Sequence, residues 1–199
     1  MKRGIATVAA LAAAGLAFAQ APQQRVPRET VSANAGGKKV EISYGRPALK
    51  GRPLAELMKQ LPEDRIWRAG ENEVTLLKSD GDLMIGTRKV AAGTYSVYVH
   101  VHESGDWSLV LNSDPGIELA KLLPNRQLPP ERASLRWPRL DGYTKNVADK
   151  EVARAAMKPG AVSAPADVFL IALAEAKGAA TLTMSWADKS YSIELTPAK

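Results

Sequence analysis

The sequence predicts an all-β fold: an antiparallel β-sandwich, or a flattened barrel, with one or two short helices. Three observations carry this prediction. Short apolar runs of period two recur along the chain. Gly- and Asp-containing turn signals separate many of them. Segments of helical period are few and brief.

The elements follow in order. In Lys39–Tyr44, Val40, Ile42 and Tyr44 alternate with Lys39, Glu41 and Ser43, which fits a strand buried on one face. Leu54–Leu61 suits a short helix stopped by Pro62. Glu73–Lys78 and Asp82–Ile85 flank Ser79-Asp80-Gly81, a hairpin turn signal. Thr94–His102 and Trp107–Asn112 flank Glu103-Ser104-Gly105-Asp106, a second hairpin. In the first of these strands Tyr95, Val97, Val99 and Val101 share one face, and Ser96, Tyr98, His100 and His102 the other. Pro115–Leu123 is a candidate helix, and the Pro- and Arg-rich stretch 124–146 reads as a long loop around a short strand, Ala133–Trp137. In Val152–Met157 alanine favours helix while the following Pro-Gly favours a strand ending in a turn. Val168–Leu173 is apolar on both faces, as a central strand is. Thr181–Trp186 and Tyr191–Leu195 close the chain as paired strands.

The N-terminus points to export. Lys2 and Arg3 precede an uncharged run, Gly4–Phe18, that closes on Ala17-Phe18-Ala19. That is the layout of a cleavable secretory signal over residues 1–19, cut after Ala19. The run is roughly 15 residues, short of the ~20 that span a bilayer, so no membrane insertion is expected after cleavage. A polar, Pro-containing leader (20–30) and a single domain (31–196) follow. Loss of Lys2 and Arg3 takes the formal charge from +6 to +4, spread along the chain. The expected location is the periplasm or the medium.

Composition narrows the chemistry. The chain has no Cys, so thiol catalysis and thiolate metal sites are excluded. No groove-reading motif is present, and nucleic acid is not an expected partner. The phosphate-loop, dinucleotide, nucleophile-elbow and zinc-protease motifs are all missing, and no cofactor is expected. The two histidines, His100 and His102, point the same way on a strand and are weak metal candidates. Glu103 falls on the opposite face and no third His exists, so a polar strand face is the plainer reading.

The densest cluster is Trp67-Arg68-Ala69-Gly70-Glu71-Asn72-Glu73, with Arg46-Pro47 and Gly51-Arg52-Pro53 upstream. A guanidinium offers a planar fork to carboxylate, phosphate or hydroxyl groups, and an indole offers a stacking face. Arg46, Trp67, Arg68, Asn72 and Glu73 are therefore candidates for holding a small polar or anionic ligand. The same residues also suit a structural network, with Arg46 or Arg68 paired to Glu73 and Asn72 satisfying turn backbone.

Four segments carry a family resemblance: Y-G-R-P-A-L-K-G-R (44–52), I-W-R-A-G-E-N-E-V-T (66–75), V-A-A-G-T-Y-S-V-Y (90–98) and D-W-S-L-V-L-N (106–112). They resemble a bacterial family catalogued as domain of unknown function 2911, over about residues 30–195. The resemblance implies an exported β-rich domain and assigns no activity. The chain departs from the family pattern in Ala55–Asp64, in 124–146, and at His100 and His102, where that pattern has no His.

Three functions remain open at this level. One is a non-enzymatic periplasmic domain that binds a small polar ligand or envelope glycan through the Trp67–Glu73 cluster. Another is a structural or protein-interaction module of the cell envelope. The third is a hydrolase using Glu73 as acid or base, for which no convincing second carboxylate is visible and no catalytic residue is assigned.

Overall fold

The computed structural model describes residues 28–139 and 142–199. The expected export signal and residues 20–27 of the leader lie outside the described residues. Domain structure starts earlier than the polar composition of the leader indicates: Glu29 and Thr30 already belong to the first strand.

Two antiparallel sheets face each other across one core. The first contains β1 (Glu29–Ala35), β2 (Lys38–Tyr44), β4 (Leu76–Ser79), β7 (Gly93–Val101), β8 (Trp107–Asn112) and β11 (Glu151–Ala156), in that spatial order; β3 (Ile66–Trp67) also pairs with β7. The second runs β13 (Ala166–Ala176), β14 (Ala179–Ala187), β15 (Lys189–Pro197), β5 (Leu83–Ile85), β6 (Arg88–Val90), and β12 (Lys158–Pro159) joins it on β15. A small ribbon of β9 (Ile117–Glu118) and β10 (Arg136–Trp137) stands apart. The helices are single turns: α1 (Leu54–Met58), α2 (Leu119–Leu122), α3 (Pro130–Ala133) and α4 (Tyr143–Asn146). The fold is thus the predicted antiparallel sandwich, with four short helices among the described residues where one or two were expected.

The core is built from the alternating faces. Val40, Ile42 and Tyr44 of β2 meet Ala180, Leu182, Met184 and Trp186 of β14 through one continuous apolar cluster. An aromatic stack sits inside it. Trp67 lies 5.2 Å from Trp186 with nearly parallel rings, and 4.7 Å from the edge-on ring of Phe169.

Several local expectations are corrected. Ser79-Asp80-Gly81 does turn the chain, but β4 and β5 do not pair. β4 stays in the first sheet and β5 enters the second, so the turn is a crossover between layers. Residues 117–118 form a strand, and only 119–122 are helical. Glu151–Ala156 resolves as a strand, paired with β8. β13 is an edge strand, not a central one. Phe169 and Ile171 face the core, Val168 is bridged to Ala48, and Leu170 is exposed. The strand covered on both faces is β8, which is buried along its whole length.

The outer face of β7 and β8 is not a bare polar surface. Tyr98 and Val110 lie under Tyr143 and Val147 of the α4 segment, in a second apolar cluster that includes Ile66. Asn112 anchors this cover, donating from Nδ2 to the Tyr143 hydroxyl (3.0 Å) and the Val147 carbonyl (2.6 Å).

Candidate functional site

β3 and β4 lie end to end along one edge of β7. Trp67 pairs with Val99 and Leu76 with Ser96, so residues 68–75 leave the sheet opposite only Val97 and Tyr98. The Trp-Arg-Ala-Gly-Glu-Asn-Glu block is thus a loop expelled from the middle of a strand. Thr75 closes its base: the hydroxyl donates to the Ala69 carbonyl at 2.8 Å, and the Thr75 carbonyl accepts from Val97 N–H at 2.8 Å.

Two glycines set the path of the loop. A Cβ on Gly45 would run into the Glu71 carbonyl oxygen, and one on Gly70 would sit 2.6 Å from the Thr75 hydroxyl. The Tyr-Gly-Arg-Pro segment and the expelled loop therefore touch backbone to backbone. Ala69 (φ +48°) and Asn72 (φ +64°) adopt left-handed backbone within the loop.

Beside the loop lies a cavity of about 690 Å³, within the range of small-molecule sites. Its wall draws on both apolar clusters: Tyr98 and Tyr143 from the outer one, Trp67 and Trp186 from the core. Among the described residues, Lys50, Arg52, Arg68 and Arg139 supply four cationic side chains, against one carboxylate, Glu71. Asn72 and Gln60 add neutral polar groups. The segment 47–49 carries Lys50 and Arg52 to the cavity. It crosses to the second sheet, where Leu49 N–H donates to Asp167 and Phe169 N–H donates to Pro47 (2.8 and 2.9 Å).

The structure divides the five candidate residues. Arg68 and Asn72 line the cavity. Neither side chain has a hydrogen bond or ion pair among the described residues. Burial pushes the Arg68 guanidinium below its ordinary pKa, and the nearby Glu71 charge opposes that without pairing to it directly. Trp67 reaches the cavity wall but is 8% exposed and belongs to the aromatic core, so packing is its evident work. Glu73 turns away to Arg28, its Oε2 3.4 Å from Nη1. Arg46 pairs with Glu29 at 3.0 Å. Neither Arg46 nor Glu73 lines the cavity, and neither arginine pairs with Glu73 as the structural reading of the sequence had it.

Sequence reasoning missed Arg28, Lys50, Glu71 and Arg139 as parts of this region. Lys50 and Glu71 stand inside segments already singled out, next to the residues chosen. Arg28 sits in a stretch that reads as leader. Arg139 lies in the Pro-rich stretch, whose path over the sheet has no periodic signal. Asp114 positions it at 3.7 Å and also holds Lys150 at 2.8 Å.

His100 and His102 do share a strand face, with ring centroids 4.2 Å apart. His100 Nδ1 accepts from Arg154 (3.1 Å) and His102 Nε2 contacts the Ser108 hydroxyl (2.8 Å). Burial, then His102 and the nearby arginines, lower the His100 pKa. Among the described residues, no group of three His, Asp or Glu side chains is placed to hold a metal.

No curated protein and no solved structure matches the chain. A family model described as "Protein of unknown function (DUF2911)" matches residues 26–195, which takes in both sheets and the expelled loop. The four motif segments, the sandwich and this match agree, and the chain belongs to the domain-of-unknown-function family 2911.

Proposed function

We propose that this chain is an exported, non-enzymatic domain, cleaved after Ala19, that binds a small anionic ligand such as an acidic sugar or envelope glycan fragment. The observation that carries the proposal is Arg68. Arg68 is a half-buried guanidinium with no hydrogen bond or ion pair among the described residues, which costs stability, and an anion in the cavity is a partner that would offset it. The three further cations around it favour negative charge.

The pairs Arg28–Glu73 and Arg46–Glu29 support a structural role for that half of the motif. They also weaken the hydrolase reading, since Glu73 is turned from the cavity and Glu71 is the one carboxylate on its wall among the described residues.

Titration calorimetry of the processed chain (20–199) with D-glucuronate, citrate and D-glucose tests the proposal. At least one anion should bind and glucose should not. Arg68→Ala should weaken the anion at least about tenfold, the scale of a lost charge-assisted pair. Binding that survives Arg68→Ala unchanged, or no binding by either anion, overturns it.

A further inference from the structure

A second cavity, of about 610 Å³, borders the other flank of α1 and shares only Arg52 and Met58 with the first. Its chemistry is different. Leu54, Met58, Val101 and Trp107 make an apolar floor, and three of these are core residues. The rim is cationic, with Arg52, Lys59, Arg65 and Lys189 against one acid, Asp188, among the described residues.

Most rim charges are already engaged. Lys189 pairs with Asp188 at 3.3 Å and Lys59 with Glu56 at 2.7 Å. Arg52 donates to the Leu49 carbonyl at 3.0 Å and the Ala48 carbonyl at 3.4 Å. Arg65 differs. Its Nε donates to the Val101 carbonyl at 2.7 Å, which fixes the side chain at the edge of the groove. Its two terminal nitrogens have no hydrogen bond or ion pair among the described residues. The backbone holds it there, in a left-handed conformation (φ +51°) with N–H donated to Pro62.

We propose that this groove binds an aliphatic carboxylate, a medium-chain fatty acid anion, with its chain over Leu54, Met58 and Trp107 and its carboxylate on the fork of Arg65. An apolar floor selects for methylene groups and offers nothing to a polyhydroxylated ligand. A fixed guanidinium at its edge selects for a planar anion that accepts two hydrogen bonds. The net positive rim selects against a cationic ligand. This site does not depend on anion binding at Arg68.

The test is displacement of a fluorescent fatty acid from the processed chain by octanoate, nonanoate, decanoate and 1-decanol, below their aggregation limits. Affinity should rise about two- to fourfold for each added methylene, as burial of a chain requires. Decanoate should bind more tightly than 1-decanol. Arg65→Gln should remove that advantage and leave 1-decanol unchanged. Ala55→Trp, at an exposed groove position whose change spares the core, should weaken all four ligands, and Arg68→Ala should weaken none. Affinity that is flat with chain length, or decanoate binding that Arg65→Gln leaves intact, overturns the proposal. So does a wild-type dimer that Ala55→Trp dissociates, which would assign the groove to a second copy of the chain.

Discussion

Arg28 and Arg68 flank the same loop and use the same chemistry in opposite ways. Arg28 is saturated. It donates to the Ser43 carbonyl at 2.8 Å, to the Val74 carbonyl at 2.9 Å, and to Glu73 on a longer bond. It ties β1's entry to β2 and to the end of the expelled loop. Its loss leaves partly buried carbonyls without that donor, at a cost of about 2 kcal/mol. Arg28→Ala should therefore lower the melting temperature by roughly 4–8 °C, and a melt indistinguishable from wild type would contradict its structural role. Trp67 is the larger case. Its ring fills the space between Trp186, Phe169 and Trp107. Trp67→Ala should cost about 3–5 kcal/mol, measurable by urea titration, with little change if the ring is instead a ligand platform. Arg68 and Asn72, by contrast, line the cavity with no side-chain hydrogen bond or ion pair among the described residues.

At the level of elements, the decisive feature is a strand interrupted between Trp67 and Leu76, with its excursion pressed against Gly45. Gly45→Ala should push the Glu71 backbone away, cost about 1–3 kcal/mol as overpacking does, and reduce anion affinity along with stability. Unaltered affinity in that variant would separate the cavity from the loop. The period-two runs of β2, β7, β14 and β15 were legible because each buries one face against the opposite sheet. The loop's residue types were legible as a cluster, but not its division. Arg46 and Glu73 look like ligand groups until their partners Glu29 and Arg28 are in place, and both partners lie in or beside the apparent leader. The pairing of β4 and β5 was misjudged because a tight turn signal is the same whether the chain returns in its own sheet or crosses to the other. β13 looked central because Val168 is half-covered by the segment at Ala48 and Leu170 remains exposed, neither of which a hydrophobic run reveals. The α4 segment had no signal at all, since its purpose is to cover Tyr98 and Val110.

For the whole molecule, the cover over the first sheet is held by carboxylates. Burial pushes the Asp114 carboxyl up, but its bonds to Lys150 and Gly116 N–H outweigh this and hold it below its ordinary value. Glu151 is likewise pushed up by burial and held below its ordinary value by Arg154 and the Tyr143 hydroxyl. A lowered folded-state pKa contributes stability that is complete above the unfolded value, near pH 4 for these groups, and is lost as pH falls through the folded value. Melts from pH 7 downward should therefore lose stability mainly below about pH 4, and Asp114→Asn should flatten that acid limb. An unchanged slope in the variant would show that the cover is not anchored there. The central claim, that one half of the motif builds the fold while Arg68 is kept for an anion, is tested most directly by melting Arg68→Ala beside wild type without ligand. The account predicts an unchanged or raised melting temperature, because an unpaired half-buried charge is removed. A fall of roughly 10 °C, the mark of a broken buried ion pair costing about 3–5 kcal/mol, would contradict it and assign Arg68 to the structure.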